Sequence, residues 1–172
     1  MEKSIVDILE KTTKKYPKKL AFVDSNRQVS YEEFLDNSKK LGTFINNKYK
    51  QTNKSIIIFI DKTVNCLEAM IGSIYSGNFY TIIDVKTPKE RANSIVENLD
   101  SKVIITDNKN LGKLQKLELN IENVFIYEDM IKTEIDQVRV GYYKFKKNRY
   151  RYNVYTLYIR VNWNSKRCSI KS

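Results

Sequence analysis

The residues best suited to chemistry in this 172-residue sequence are concentrated near its end, where arginines alternate with tyrosines. Residues 138–172 contain ten lysines and arginines, six tyrosines and no acidic residue, for a net charge of +10. The run Arg149-Tyr150-Arg151-Tyr152 is typical of this region. Because guanidinium groups pair with phosphates and aromatic rings stack on bases, the pattern by itself indicates a nucleic-acid-binding segment.

Composition excludes several other kinds of site. The sequence contains no histidine, which rules out serine–histidine and cysteine–histidine catalysis and imidazole-containing metal sites. Cys66 and Cys168 are far apart in sequence, so no disulfide framework is expected and a reducing compartment is the default. None of the five glycines lies within four residues of another, so no glycine-rich loop can hold a phosphate. We therefore expect no catalytic, cofactor-binding or metal-binding residue in this chain.

The charge divides the chain into two regions. Residues 1–137 contain 21 basic and 20 acidic residues, a net charge of +1, whereas residues 138–172 contain no acidic residue. We expect residues 1–137 to form a folded body and residues 138–172 an irregular or disordered basic tail. The longest apolar run, residues 56–60, is too short to cross a bilayer, and residues 1–4 do not resemble a secretory signal, so a cytoplasmic protein without membrane contact is expected.

The first part of the body predicts a helix and a hairpin. Residues 4–15 form an amphipathic pattern with four residues expected on the buried face: Ile5, Ile8, Leu9 and Thr12. Residues 20–23 and 28–30 are strand-like and flank a turn at Ser25-Asn26, which favours a β-hairpin.

Two capping boxes predict the starts of further helices. Ser30-Tyr31-Glu32-Glu33 and Thr87-Pro88-Lys89-Glu90 each place a hydroxyl residue three positions before a glutamate, with Pro88 at the favoured first helical position. The first of these helices is expected to bury Phe34, Leu35, Leu41, Phe44 and Ile45, and the second Ile95, Val96 and Leu99.

The remaining segments predict a parallel sheet. Residues 55–60 are continuously apolar, as in a strand covered on both faces, and a helix follows from Thr63 to Tyr75, ending near Gly77. Residues 79–83, 103–105 and 124–126 are further strands, and residues 110–117 a short helix. This alternation predicts an α/β fold with a mainly parallel sheet and flanking helices.

A set of residues in one ungapped register resembles the adenylate-forming (AMP-binding) synthetase superfamily, whose members often read K-A-G-x-x-Y-x-P-I-D here. The matching residues are Lys62, Gly72, Gly77, Tyr80, Ile83, Asp84, Pro88, Glu90 and Arg91, and residues 29–34 resemble an earlier superfamily motif. Within the superfamily, the resemblance suggests amino-acid adenylation domains of nonribosomal peptide synthetases and D-alanine–carrier-protein ligases. Tyr75 replaces a lysine of the pattern and Ile82 a proline. Within the two motifs, we expect Gly77 and Asp84 to lie at junctions between elements and five residues to cap helices: Ser30, Glu33, Thr87, Pro88 and Glu90.

The resemblance implies the N-terminal part of the large domain of an adenylate-forming enzyme. The full-length family uses ATP and Mg²⁺ to activate a carboxylate, here an amino acid, as an acyl-adenylate, and then transfers it to the phosphopantetheine thiol of a carrier protein. In the family, the phosphate loop and later catalytic motifs follow the resembling segment. We therefore expect this fragment to be inactive and to bind neither ATP nor Mg²⁺.

A shift of the reading frame offers another origin for the tail. The superfamily's phosphate loop typically reads T-S-G-S-T-G-x-P-K-G-V. Back-translation of residues 158–168 with a one-base shift permits T-S-G-S-T-G-T-P-K-G-V, and the glycine at the codon of Trp163 is obligatory. Because acidic residues end abruptly at Asp136, we hypothesise a frameshift between about residues 136 and 148. The alternative is a genuine tail and a small nucleic-acid-binding module, which we regard as the less favoured hypothesis.

Overall fold

A computed structural model describes residues 4–136, and the basic tail lies outside the described residues. The helices are α1 (Ile5–Lys15), α2 (Tyr31–Lys48), α3 (Val64–Tyr75), α4 (Lys89–Leu99), α5 (Asn108–Leu117) and α6 (Tyr127–Met130). The strands are β1 (Leu20–Val23), β2 (Gln28–Ser30), β3 (Ser55–Phe59), β4 (Phe79–Ile82), β5 (Val103–Thr106) and β6 (Asn123–Ile126). No helix among residues 4–136 is long and apolar enough to cross a membrane.

Four of the strands form one parallel sheet, in the order β4-β3-β5-β6. Ile57 of β3 lies opposite Thr81 of β4 on one side and Ile104 of β5 on the other. All five residues of β3 are buried, as expected for the apolar central strand of a parallel sheet. β1 and β2 form a separate antiparallel hairpin. The predicted α/β fold is therefore confirmed.

Helices cover both faces of the sheet. On one face, Ile56 and Ile58 of β3 pack in a core with Leu41 and Ile45 of α2 and Ala69 of α3. On the other face, residues of β3 and β5 pack against α4 and α5, and this second core contains Ile57, Phe59, Ala92, Val96, Ile104 and Leu114. The strand order and the alternating faces give a doubly wound arrangement.

Two glycines let α2 and α3 cross in close contact. A Cβ added to Gly72 would lie 2.6 Å from the Cβ of Leu41 and 3.1 Å from the carbonyl oxygen of Ser38. One added to Gly42 would lie 2.7 Å from the Cβ of Tyr75. Since real Cβ contacts are longer than this, both positions need glycine for packing. This explains Gly72, which the sequence singled out as a motif residue.

The predicted buried face of α1 was partly wrong. Ile5 and Ile8 are 52% and 53% exposed, whereas the residues that face the body are Val6, Leu9 and Thr13. Val6 and Leu9 pack in a third core with Phe34 and Ile71. The apolar face of α1 is wider than the surface of α2 and α3 against which it packs. Only one side of that face is therefore buried.

One of the two capping boxes forms its serine cap. The Ser30 hydroxyl accepts from the Glu33 backbone N–H at 3.2 Å. At the second box Thr87 makes no cap, because Pro88 occupies the cap position and α4 begins at Lys89. Thr87 instead belongs to a turn, in which its N–H donates to the carbonyl oxygen of Asp84 at 2.8 Å. Pro88 follows this turn with an extended backbone and occupies the cap position.

Candidate functional site

Open parallel sheets bind ligands beyond the carboxyl ends of their strands, where the chain winds away in opposite directions. In this sheet that place lies between β3 and β5. The chain passes outward from β3 to β4 on one side of this point and outward from β5 to β6 on the other side. Asp61 follows β3 closely and Asp107 follows β5 directly, so two carboxylates lie at this edge. This edge is the candidate site that the fold itself supplies.

The side chains at this edge bond to one another. Asp61 Oδ2 lies 2.7 Å from Lys109 Nζ and accepts from Asn110 Nδ2 at 3.3 Å. Asp107 Oδ1 accepts from the Asn110 backbone N–H at 2.9 Å and from its Nδ2 at 2.8 Å. We refer to Asp61, Asp107, Lys109 and Asn110 as the carboxyl-edge cluster. The hydrogen bond from Lys109, together with that from Asn110, holds the pKa of Asp61 below its ordinary value.

One oxygen of each carboxylate in this cluster is held within the protein, Oδ2 of Asp61 and Oδ1 of Asp107. Both carboxylates accept from protein donors, and Glu128 accepts from the Asn108 backbone N–H at 3.1 Å at the start of α5. Within the described part of the chain, no three acidic or cysteine residues are grouped so that they could hold a metal ion. The cluster therefore ties α5 to β3.

A second polar cluster is buried and centres on Glu68 of α3, whose side chain is fully inaccessible to solvent. Glu68 accepts hydrogen bonds from Arg27 Nη2, from the Tyr127 hydroxyl and from Asn37 Nδ2, the last at 3.0 Å. Burial raises the pKa of the Glu68 carboxyl, while these donors act in the opposite direction. These contacts join β1–β2, α2, α3 and α6 around one carboxylate.

Asp24 docks the hairpin onto the start of α3. Its Oδ2 accepts from the Val64 backbone N–H at 2.7 Å, and its Oδ1 accepts from the backbone N–H groups of Asn26 and Arg27 at 2.7 and 2.9 Å. Thr63, at the cap position of α3, makes no side-chain cap bond. Asp24 therefore caps this helix from a distant part of the chain. We refer to Asp24, Arg27, Asn37, Glu68 and Tyr127 as the hairpin clamp.

The clamp was missed by sequence reasoning. The available signal was Glu68 itself, a carboxylate in the otherwise uncharged helical sequence VNCLEAMIGSIY. An acid in such a helix needs a buried partner. Its basic partner Arg27 lies 41 residues earlier, in a turn that sequence reasoning treated only as a connection. Cys66 on the same helix is buried, and burial raises the pKa of its thiol to about 11, so it is no activated nucleophile.

The motif residues divide between the surface and the interior of the structure. Lys62, Asp84, Pro88, Glu90 and Arg91 are exposed, whereas Gly72 and Ile83 are buried in the packing. Gly77 has a φ of 78° just beyond α3, which suits its predicted role as a helix stop.

The two departures from the motif lie in different surroundings. Tyr75 is buried and its hydroxyl donates to Glu10 Oε1 at 2.9 Å, which links α3 to α1. Ile82 is 44% exposed at the end of β4.

Comparison with protein families and curated proteins identifies relatives. The family model described as AMP-binding enzyme matches residues 9–150. Tyrocidine synthase 1 of Brevibacillus parabrevis is 26% identical over 104 residues, which is 60% of this chain and 10% of the relative. D-alanine–D-alanyl carrier protein ligase of Staphylococcus haemolyticus is 25% identical over 121 residues, or 70% of this chain and 24% of the relative. The chain thus spans a quarter or less of these two relatives.

Solved structures share the fold. The N-terminal domain of FACL13 from Mycobacterium tuberculosis, in an inhibitor-bound form, superposes with a TM-score of 0.71 at 11% identity, covering 79% of this chain and 37% of that one. The nonribosomal peptide synthetase FmoA3, in an AMPPNP-bound form, superposes with a TM-score of 0.66 at 17% identity, covering 74% and 14%. At these identities the likeness shows the fold alone.

Proposed function

The chain belongs to the AMP-binding enzyme family, and from this premise we propose that it forms the first part of the large domain of an ATP-dependent, adenylate-forming ligase. The family match over residues 9–150 is the observation that supports this proposal. The division at residue 137 also stays a proposal, and the match runs past it into the basic region.

An amino acid is the proposed substrate of the whole enzyme, and a carrier-protein thiol the proposed acceptor. Both rest on the names of relatives, a tyrocidine synthase and a D-alanine–D-alanyl carrier protein ligase. ATP and Mg²⁺ are the proposed cofactors of the whole enzyme.

We propose that residues 4–136 contribute scaffold to this enzyme and no catalytic group. Both carboxylates of the carboxyl-edge cluster accept from side-chain or backbone donors of α5, Asp61 through Oδ2 and Asp107 through Oδ1. The most deeply buried carboxylate, Glu68, serves the hairpin clamp. We therefore propose that the described residues form no ATP or Mg²⁺ site, and no reaction step is assigned to them.

Amino-acid-dependent exchange of pyrophosphate into ATP tests the proposal. The protein with its reading frame corrected within residues 136–148 should exchange labelled pyrophosphate into ATP when one particular amino acid is present. The 172-residue chain should show only background exchange. Exchange by the 172-residue chain would contradict its proposed inactivity. A corrected, folded protein that exchanges with none of the amino acids would contradict the proposed substrate class.

The frameshift is tested separately by the nucleotide sequence. Resequencing from codon 130 onward should show that the shifted frame encodes the phosphate-loop string at codons 158–168. Nucleotides that do not encode this string would refute the hypothesis and favour a genuine tail.

A second candidate function, nucleic-acid binding, is favoured only by the tail charge of +10. Its test is titration of labelled RNA or DNA at two salt concentrations, with a shortened chain ending at Gln137 for comparison. Salt-sensitive affinity that disappears with the tail would support this candidate. Equal affinity of both chains would refute it.

A further inference from the structure

The β6 edge of the parallel sheet is open within residues 4–136. β6 pairs there only with β5, from Asn123 opposite Val103 to Ile126 opposite Thr106. The outer backbone N–H and C=O groups of such an edge strand can pair with a further strand, and proteins usually cover or protect such edges.

An incompletely covered apolar strip runs along this edge. Val124 lies opposite Ile104 in the sheet and shares its face, but Ile104 is fully buried and Val124 is 46% exposed. Leu117, Leu119 and Ile121 are only partly buried against the same core. A strand added beside β6 would extend the sheet and cover this strip if its own residues on that face were apolar.

The tail contains a segment with this pattern. In residues 158–163 the apolar Ile159, Val161 and Trp163 alternate with Tyr158, Arg160 and Asn162, so a strand here would have one apolar face. The 21 residues between Asp136 and Tyr158 can span roughly 70 Å when extended, more than enough to return to the edge.

Charge also favours the tail as the occupant of the edge. Residues 118–136, which include β6, contain six acidic residues and one lysine, whereas residues 138–172 carry a net charge of +10. Glu122, immediately before β6, has an exposed carboxylate and its nearest basic partner, Lys102, is 3.6 Å away. Pairing of β6 with β6 of a second copy would instead bring together two segments of the same net negative charge, which electrostatic repulsion disfavours.

We propose that residues 158–163 of the same molecule add to β6 as a fifth strand of the parallel-stranded sheet, with Ile159, Val161 and Trp163 over the apolar strip. The main-chain pairing is that of β-strand addition, and apolar burial with charge attraction selects this segment. The proposal depends only on the residues present in the chain, so it is independent of the reading-frame hypothesis and of the proposed ligase function.

Hydrogen–deuterium exchange of the 172-residue chain tests the pairing. Val161→Asp places a charge on the apolar face of the added strand, and Val154→Asp makes the same change in the tail outside that segment. The amides of β6 should exchange at least tenfold faster in Val161→Asp than in the unchanged chain, and at the unchanged rate in Val154→Asp. Unaltered protection of β3 in both variants shows that the body is folded.

Three outcomes would overturn the proposal. They are equal exchange of β6 in all three proteins, equal acceleration by both substitutions, and protection of β6 that falls when the protein is diluted tenfold. The last result would assign the edge to a second copy of the chain. Protection of β6 that is independent of concentration and lost only in Val161→Asp would support the proposal.

Discussion

The hairpin clamp and the carboxyl-edge cluster use the same chemical groups with different consequences. Each joins a carboxylate to a basic side chain and to a side-chain amide, and each connects α-helices to strands. Glu68 in the clamp is fully buried and Arg27 is 28% exposed, whereas Lys109 in the edge cluster is 69% exposed. Because a buried charge without its partner is far more costly than an exposed one, the clamp should control stability and the edge cluster should not.

The largest difference in stability is expected when the basic side chain of each cluster is replaced. Arg27→Met leaves the Glu68 carboxylate buried without its counter-charge and should lower the free energy of unfolding by about 3 kcal/mol. Lys109→Met removes the matching partner of Asp61 and should leave the urea midpoint unchanged within error. Both values are read from urea denaturation of the 172-residue chain.

Adding Glu68→Gln to Arg27→Met should restore part of the lost stability, because the buried charge is then absent. Equal effects of the two single substitutions would show that burial does not distinguish the clusters.

A second contrast concerns backbone packing on the two sides of the sheet. Gly72→Ala, at the α2–α3 crossing next to the clamp, forces apart two backbones and should cost about 1–3 kcal/mol. Gly112→Ala lies on α5, beside the edge cluster, where an added Cβ has no neighbour within 4 Å. It should stabilise the protein by about 0.5–1 kcal/mol through helix propensity. Thermal unfolding measures both, and a stable Gly72→Ala variant would refute the close crossing.

The smallest expected effect is the response to acid and salt. Backbone hydrogen bonds, that from Val64 foremost, lower the pKa of Asp24, and the hydrogen bond from Lys109 chiefly lowers that of Asp61. A lowered carboxyl pKa contributes stability that is present above the ordinary value near 3.8 and is lost as pH falls below it. Asp24→Asn and Asp61→Asn should each make the decline in melting temperature between pH 5 and pH 2 shallower.

The effect of salt on acid stability should distinguish Asp61 from Asp24. In 1 M NaCl the effect of Asp61→Asn should shrink, since its partner is an exposed charge, while that of Asp24→Asn persists. Identical salt responses would mean that both pKa values have the same cause.

The sequence predicted the elements that local pattern determines and missed those that need a distant partner. A continuous apolar run predicts β3, and a helical pattern that ends near Gly77 predicts α3. Both elements are present in the structure. The buried face of α1 could not be predicted, because Ile5 and Val6 are equally apolar and only packing chooses between them.

The cap role of Thr87 was wrongly predicted and Glu68 was missed for the same reason. A turn starting at Asp84 moves Thr87 away from the cap position, and the partners of Glu68 come from three other elements. For the carboxyl-edge cluster, the sequence predicted only the strands that precede Asp61 and Asp107. The contacts of Asp61 could not be predicted, because Lys109 and Asn110 of α5 lie 48 and 49 residues away in sequence.

The cap that Asp24 supplies to α3 is synthesised before the helix that it caps. The hairpin turn leaves the ribosome 40 residues before Val64, so the acceptor for the first turn of α3 is already made when that helix emerges. A short helix is marginal on its own, and α3 makes no side-chain cap of its own. Nascent α3 should therefore gain helical order together with hairpin docking, so that residues 20–75 are expected to order as one unit during translation.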